Sequence, residues 1–539
     1  MTITIQDSDV SSLPVGKKTL GIDFGTTFCC VASCDDDGVP QVLGPLIPSC
    51  IVYDGDTVST GVQCAHRDDA LRSIKGLMDP DGAYRVRHDG PWHGRSPFDG
   101  AVDLFQAIRR QSVDVLGTFV PHAVVTVPAY FDEKKRHTIK QAATKAGFHV
   151  LRLISEPTAA ALCYRVPQDG VYGVYDLGGG TFDFSVVKMR NHLCRVLASG
   201  GHPSLGGDTI DRWIADRLFP HADNGLVQGR AVKEKAGQTQ IDLTPIMDQI
   251  ATDTLAICAA TLRDAGLSVQ DLDGVVMVGG STKMTSLVSR VGRVFPTLIQ
   301  NDMDPDRSIA KGAALYGAYL TTQSPFLLMD VTPLSLGVET RGGIVERIID
   351  RNSPLPHTKE MTFTTGEQGQ TGMTIHVVQG EGELAKNCHS LGSFTLKNLS
   401  NTRKGGVKVR IVFALDVDGL LTVSAGEEGQ DNQESMVVNP LHHLRPDTVT
   451  AQTNQQGDDL WDRMWIDKVQ KVTDALTEIR RLLKDAPCAT LDAECDATEA
   501  LCRGHDLNAL DTQWHKLSAL ALPLFEQSLV ASLNKENRS

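Results

Sequence analysis

No apolar run in this sequence approaches the ~18–20 residues that a membrane-spanning helix needs, so no membrane partner is expected. An excess of basic charge is also missing. Lys and Arg number 52 against 66 Asp and Glu, a net charge of −14. A field of that sign gives no support to a nucleic-acid partner. The opening residues, MTITIQDSDVSSLPVGKK, have no basic start followed by an apolar stretch, so they do not read as a secretory leader. Residues 1–17 are expected to be a flexible tail. Cys-x-x-Cys is absent despite twelve cysteines, and no His stands at finger-like spacing. Cys29 and Cys30 sit inside a strand-like run. Cys488, Cys495 and Cys502 recur every seven residues, but Pro487 and the polar TLDAECDATE argue against one continuous helix there. The cysteines read as scattered cytosolic thiols.

What is present points to a large globular protein. With 539 residues the chain exceeds one core, and two to four domains are expected. Hydrophobic residues make 41% and charged residues 22%, ordinary values for such a protein.

Three apolar strands run into glycine turns. VYDLGGGTFDFS (174–185) breaks a strand with Gly178, Gly179 and Gly180, flanked by Asp176 and Asp183. LGIDFGTTFCCVAS (20–33) has the same plan, with Asp23, Gly25, Thr26 and Thr27. DGVVMVGGSTKM (273–284) adds Gly279 and Gly280. Glycine turns without strain, and successive backbone N–H groups can then hold an anion. Acids beside an anion make sense if a divalent cation lies between them. A ligand-free surface hairpin is the alternative for any one such turn. The echo of Asp-x-Gly at 23–25 and 176–178 suggests a duplicated unit. Together the three turns point to a nucleotide held between two similar lobes.

Up to about Gln323 strand-like and helix-like segments are mixed, as in α/β folds. HAVVTVPAYF reads as a strand. The helix after it has Asp132 as N-cap and Gly147 as its stop. SEPTAAALCY reads as a short helix and DRSIAKGAALYGAYL as a small-residue helix able to pack closely. Phe326–Met329 form a short apolar run, either an edge strand or a linker that docks in one state and is released in another. Beyond it alternation marks β structure, with a hairpin turn at Asp418-Gly419. Trp461 and Trp465, then Leu476, Ile479, Leu482 and Leu483, open a helical end domain.

This order of parts resembles the 70-kDa heat-shock chaperone family, the DnaK-like chaperones. GIDFGTT, VTVPAYF, ISEPTAAAL, YDLGGGTFD, VMVGGSTK and LLMDVTPLSLGVET occur in the family's order, over nearly the whole chain after the tail. The resemblance implies a multidomain chain. An actin-like two-lobed α/β nucleotide-binding domain would span 18–324 and a linker 325–331. A β-sandwich substrate-binding domain would span 332–443, and an α-helical lid 444–539. It implies ATP and magnesium as cofactors. Gly25, Thr26 and Thr27 resemble the first phosphate clamp, and Gly178, Gly179, Gly180 and Thr181 the second. Asp23 and Asp176 would orient magnesium through its waters. Lys75 resembles the catalytic lysine, and Glu156 and Asp183 the acids that order the attacking water. Gly279, Gly280 and Lys283 lie where the family grips the nucleoside. Lys235 is the candidate left in RAVKEKAGQTQ, which lacks the family's full charged set against adenine. Val338, Thr340, Phe363, Gln370, Met373 and Ile375 fall on peptide-lining positions.

Within the family, HVLRLISEP, GGIVERIIDRNSPLP and VVQGEGELAKNCHSLGSF resemble the branch specialised for iron–sulfur cluster assembly. That branch implies a J-type co-chaperone, an iron–sulfur scaffold or extended client peptide, a cytoplasmic location and a monomer. The chain departs from the family by being shorter between Lys75 and Val102 and between Trp213 and Leu243. Arg341 and Gly366 stand at the two positions that arch over peptide, which puts the arch in question. A general unfolded-protein chaperone is the alternative within the family. A sugar kinase or a filament-forming actin relative is the alternative outside it, disfavoured by the segments after Asp330.

Overall fold

The computed structural model describes residues 17–437 and 472–535, except 56, 68, 79–91, 165–168, 191–192, 223–224, 236–240, 296, 300–303, 323, 325, 341–342, 366–369, 401–406, 431–432, 473–474, 477–478, 484–486 and 504–505. Trp461, Trp465, Arg341, Gly366 and nearly all of the expected tail lie outside the described residues. The described residues fall into two compact units. One is drawn from 17–207, 273–282 and 299–437, the other from 208–272, 283–298 and 472–535.

The first unit holds two sheets with the same local plan. In one, β1 (Leu20–Phe24) is antiparallel to β2 (Phe28–Cys34) and parallel to β8 (His122–Val127). Beyond β8 lies parallel β9 (His149–Ser155), and β3 (Pro40–Val42) and β4 (Ile47–Pro48) flank β2. In the other, β10 (Gly170–Leu177) is antiparallel to β11 (Phe182–Arg190) and parallel to β13 (Gly274–Val278). β12 (Leu193–His202) extends it on one side and β14 (Leu298–Ile299) on the other. The Asp-x-Gly echo thus marks equivalent strand ends. A small third sheet sets β5 (Cys50–Asp54) between β6 (Thr57–Thr60) and β7 (Leu71–Arg72).

The helices follow their capping chemistry. α1 (Pro97–Leu116) starts in a capping box of Ser96 and Asp99. In α2 (Glu133–Lys145) the Asp132 carboxylate accepts from Lys135 N–H at 2.8 Å, and Gly147, at φ +100°, follows the end. α3 (Glu156–Cys163) crosses α8 (Pro305–Thr321) at Gly312, where a Cβ would stand 1.7 Å from the Ala159 carbonyl oxygen. Only glycine permits that approach, so the small-residue reading of this helix holds.

After α8, β15 (Leu327–Met329) pairs parallel with β12, Leu327 opposite Leu193 and Met329 opposite Arg195. The apolar run is therefore an edge strand in this conformation. Two antiparallel sheets follow. β16 (Leu336–Glu339), β17 (Val345–Ile349), β19 (Gly372–Gln379) and β20 (His389–Lys397) form one. β18 (His357–Thr364), β21 (Lys408–Leu415), β22 (Leu421–Glu427) and β23 (Gln433–Val437) form the other. They share one core that includes Ile348, Val377, Ile411, Phe413 and Val423.

The second unit is helical. It contains α4 (Gly207–Leu218) beyond its first residue, α5 (Gly225–Glu234), α6 (Thr244–Asp264) and α7 (Thr285–Val294). α9 (Ala489–Leu501) and α10 (Leu507–Lys535) close the described chain, and α10 packs against α6 and α7. Leu476, Ile479, Leu482 and Leu483 are buried with Leu491, Cys495 and Trp514. Contrary to the expectation from sequence, the stretch between Cys488 and Cys502 is one continuous helix, because Pro487 lies ahead of the N-cap, Cys488. The polar run supplies its outer face, while Leu491, Cys495 and Thr498 are buried.

Candidate functional site

The two glycine turns of the first unit face each other. A Cβ on Gly179 would stand 2.0 Å from Thr27 Oγ1, and one on Gly180 would stand 3.0 Å from Thr26 Oγ1. The two turns can approach this closely only because Gly179 and Gly180 carry no Cβ. Each turn is braced from outside. Ser49 donates through Oγ to the Gly25 carbonyl at 2.7 Å and through N–H to the Thr27 carbonyl at 2.8 Å. Ser281 Oγ donates to the Gly178 carbonyl at 2.9 Å, and Gly207 N–H to the same oxygen at 3.0 Å. Thr181 is buried and its carbonyl accepts from Gly178 N–H.

Four carboxylates and one ammonium lie buried beside the turns. Asp23 ends β1 and accepts from Thr126 Oγ1 at 3.3 Å. Asp176 and Asp183 are directly opposite on β10 and β11, and Asp183 accepts from Tyr130 N–H at 3.0 Å. Glu156 is the first residue of α3, and Lys75, on the short 3-10 turn Ile74–Leu77, donates to its Oε1. Lys75 Nζ also stands 5.6 Å from the centre of the Phe131 ring.

Burial first and the Glu156 charge second push Asp23 up to about 7, and the same pair of causes holds Asp183 at about 7. Asp176 is held well above the usual carboxylate range by burial, then by Glu156, Asp183 and Asp23. Burial alone would lower the Lys75 ammonium, but the Glu156 and Asp23 charges outweigh it and hold it above its ordinary value. One lysine does not balance four acids. Asp176 Oδ2 is buried with no hydrogen-bond partner, which suits a cation and its water shell. Among the described residues no group of three acidic, His or Cys side chains is placed to ligate a metal ion directly.

Gly279 turns at φ +83° beside Asp176, and Gly280 opens the 3-10 turn Gly280–Lys283. Lys283 and Lys235 belong to the second unit. Lys235 is exposed just past α5. Of the sequence-selected peptide residues, Val338 and Ile375 lie in the shared core of the paired sheets. Phe363 and Met373 are half-buried against it, alongside Met361 and Phe394. Thr340 Oγ1 donates to the Ile344 carbonyl at 3.0 Å, and Gln370 Nε2 to that of Gly372 at 2.7 Å.

A second set of contacts was not foreseen. Asp418, read only as a turn residue, is 4% exposed. It pairs with Lys140 at 2.6 Å and accepts from Leu153 N–H at 3.0 Å. Glu133 Oε1 accepts from Leu421 N–H at 2.7 Å, and Gln379 Oε1 accepts from Glu133 N–H at 3.2 Å. The paired sheets are thereby held to α2 and β9. Ser49, Thr126 and Ser281 were missed as well. Thr126 and Ser281 carry no signal beyond a hydroxyl within a quoted motif, and Ser49 carries none.

Two like sheets meeting at paired glycine turns, with buried acids and a lysine between them, define a nucleoside-triphosphate hydrolase. The sequence profile of the Hsp70 protein family matches residues 95–225 and 226–513. The chain is 36% identical to the HscA chaperone homolog of Bordetella pertussis over 89% of each chain. It is 36% identical to that of Ralstonia pickettii over 92% of this chain and 91% of the relative. It is 34% identical to the HscA chaperone of Cronobacter sakazakii over 94% of each. The chain belongs to the Hsp70 family and is an ATP-hydrolysing chaperone. Among the described residues no helix is long and apolar enough to cross a membrane.

Proposed function

We propose that this chaperone serves iron–sulfur cluster assembly, cycling ATP on a scaffold protein together with a J-type co-chaperone, as a cytoplasmic monomer. The observation that carries the ATPase assignment is the buried Lys75–Glu156 pair among Asp23, Asp176 and Asp183 where the two glycine turns meet. Backbone amides of Gly25–Thr27 and of Gly178–Thr181 close on the β- and γ-phosphates. Lys75 stabilises the charge that builds on the γ-phosphate, and Glu156 and Asp183 order the attacking water. Asp23 and Asp176 hold magnesium through its waters, and the ion neutralises phosphate charge when bound. Gly279, Gly280 and Lys283 grip the nucleoside, with Lys235 on the adenine side.

In this reading residues 18–324 are the two-lobed nucleotide-binding domain and 325–331 the linker. Residues 332–443 are the peptide-binding sandwich and 444–539 the helical lid. Val338, Thr340, Phe363, Gln370, Met373 and Ile375 serve the client peptide. Half-buried Met361, Phe363, Met373 and Phe394 support a deformable apolar site, since thioethers adapt to irregular ligands. Coupling between the domains has a physical route. Arg136, one turn along α2 from Glu133, donates to the carbonyls of Ala129 and Phe131. These flank Tyr130, whose N–H holds Asp183. Through these contacts release of the sandwich from α2 would reach Asp183.

The client assignment is tested by steady-state ATPase with a J-type partner, a Leu-Pro-Pro-Val-Lys scaffold peptide, both together, or an unfolded model protein. Synergy of the first two is expected, with little effect of the last. Equal stimulation by unfolded protein would replace the specialised reading with a general chaperone.

A further inference from the structure

The small sheet of β5, β6 and β7 encloses a pair of thiols. Cys50 begins β5, and Cys64 follows the 3-10 turn Gly61–Gln63. Their sulfurs are 3.3 Å apart and both side chains are buried. Both thiols share the Gly61 carbonyl as acceptor, at 3.3 Å and 3.4 Å, and Cys64 also reaches the Cys50 carbonyl at 3.2 Å. With Val52 they form a cluster of their own, against which half-buried Ala65 and Ala70 pack. Among the described residues no third ligand completes a metal set there. A disulfide holds its sulfurs about 2.05 Å apart, so closure needs a movement of about 1.2 Å from the observed 3.3 Å.

Cys50 is joined to both halves of the catalytic machinery. Its neighbour Ser49 holds the carbonyls of Gly25 and Thr27 in the first phosphate clamp. Its partner across the sheet is Arg72 of β7, three residues before Lys75. We propose that Cys50 and Cys64 form a reversible disulfide through which a small peroxide slows ATP hydrolysis. This rests on the assignment of Lys75 and the Gly25 turn to the ATPase.

The Cys64 thiol, by its hydrogen bond, draws Cys50 down to about 7 against the effect of burial, with the Arg72 charge assisting. The thiolate so favoured on Cys50 is the nucleophile. Its sulfur attacks a peroxide oxygen, the O–O bond breaks, and the departing hydroxide takes a proton and leaves as water. The sulfenic acid left on Cys50 is then attacked by the Cys64 sulfur. The S–S bond forms, the S–O bond breaks, and a second water carries off the Cys64 proton. Two thiols lose two electrons and one peroxide becomes two waters. The shift carries Ser49 and the Arg72–Lys75 segment with it, and a misplacement of about 1 Å at a catalytic group can slow a reaction on the order of 100-fold.

The full chain is treated with hydrogen peroxide, remaining thiols are blocked, and the digest is mapped by mass spectrometry. A Cys50–Cys64 linked peptide is expected. Single-turnover ATP hydrolysis should fall about ten-fold or more and return with dithiothreitol. Cys64→Ser should keep the reduced rate and lose the peroxide response. Should that variant misfold, the linkage map and the dithiothreitol recovery of the unsubstituted chain still decide. Both thiols recovered unlinked, or linkage with an unchanged rate, would overturn the proposal. An inactive reduced chain would instead count against the ATPase assignment, which the linkage map does not need.

Discussion

Two groups of buried carboxylates in the first unit differ in how they are satisfied. At the docked face, Asp418 has Lys140 and the Leu153 amide, and Glu133 has the Leu421 amide. In the cleft, Asp23, Asp176, Asp183 and Glu156 share one lysine, and an oxygen of Asp176 has no partner. A carboxylate paired as Asp418 is holds a contact shut by itself. An incomplete set is finished by a ligand, because burying unpaired charge is unfavourable until something pairs it. The cleft is thus built to receive and the docked face to latch.

The sharpest break of this contrast is at Lys75. On the role proposed for Lys75 in the transition state, Lys75→Ala should leave nucleotide binding in place while single-turnover hydrolysis falls on the order of 10²–10³. Normal hydrolysis by this variant would remove Lys75 from the mechanism. Next in size is the latch. Asp418→Ala strands Lys140 and the Leu153 amide, so peptide affinity should lose its difference between ATP and ADP. That coupling is typically ~1–3 kcal/mol, about 5- to 150-fold. Asp418→Asn keeps an acceptor for Leu153 and should fall between. Full nucleotide sensitivity in Asp418→Ala would mean that the latch does not couple the domains.

The contrast also separates what the sequence could tell from what it could not. The cleft was legible because its chemistry is local: acid, glycine and threonine recur at strand ends, and each strand end carries its own motif. The hairpin at Asp418-Gly419 was legible too, down to Gly419 at φ +77°. Its burial was not. Asp-Gly reports the backbone of a turn, while the Lys140 partner lies 278 residues away. The helix between Cys488 and Cys502 was misjudged for a related reason. Pro487 reads as an interruption although it lies ahead of the N-cap, and the polar run hides the face that Leu491 and Cys495 bury.

The strand β15 offers a weaker break. Leu328 packs against buried Val196 and Val331 in a common cluster, whereas Leu327 is 48% exposed. Replacing Leu327 and Leu328 together by Asp should reduce ATP-triggered peptide release several-fold, with most of the effect from Leu328. A larger effect from Leu327 alone would show that pairing with β12, rather than apolar burial, holds the strand.

The smallest effect expected is one of pH at the latch. Glu133 is 3% exposed, and burial pushes its carboxyl well above the usual range, against the Leu421 hydrogen bond and with Asp416 and Asp132 adding to the rise. Once the paired sheets leave α2, water returns to the carboxyl and it titrates near its ordinary value, about 4.3. The docked form therefore binds a proton that the released form gives up. This contribution to docking is full below about pH 4.3 and is lost as pH rises through the raised docked value. Docking should therefore loosen as the pH is raised from a mildly acidic to a mildly basic value. His137 on the same helix is lowered by burial, so its protonation works in the opposite sense. Glu133→Gln imitates the protonated side chain and leaves His137 in place, so the difference between parent and variant isolates Glu133. ATP-triggered peptide release at the two pH values is the measurement. A steeper pH dependence in the parent supports the titration, and equal slopes would assign all of the pH response to other groups.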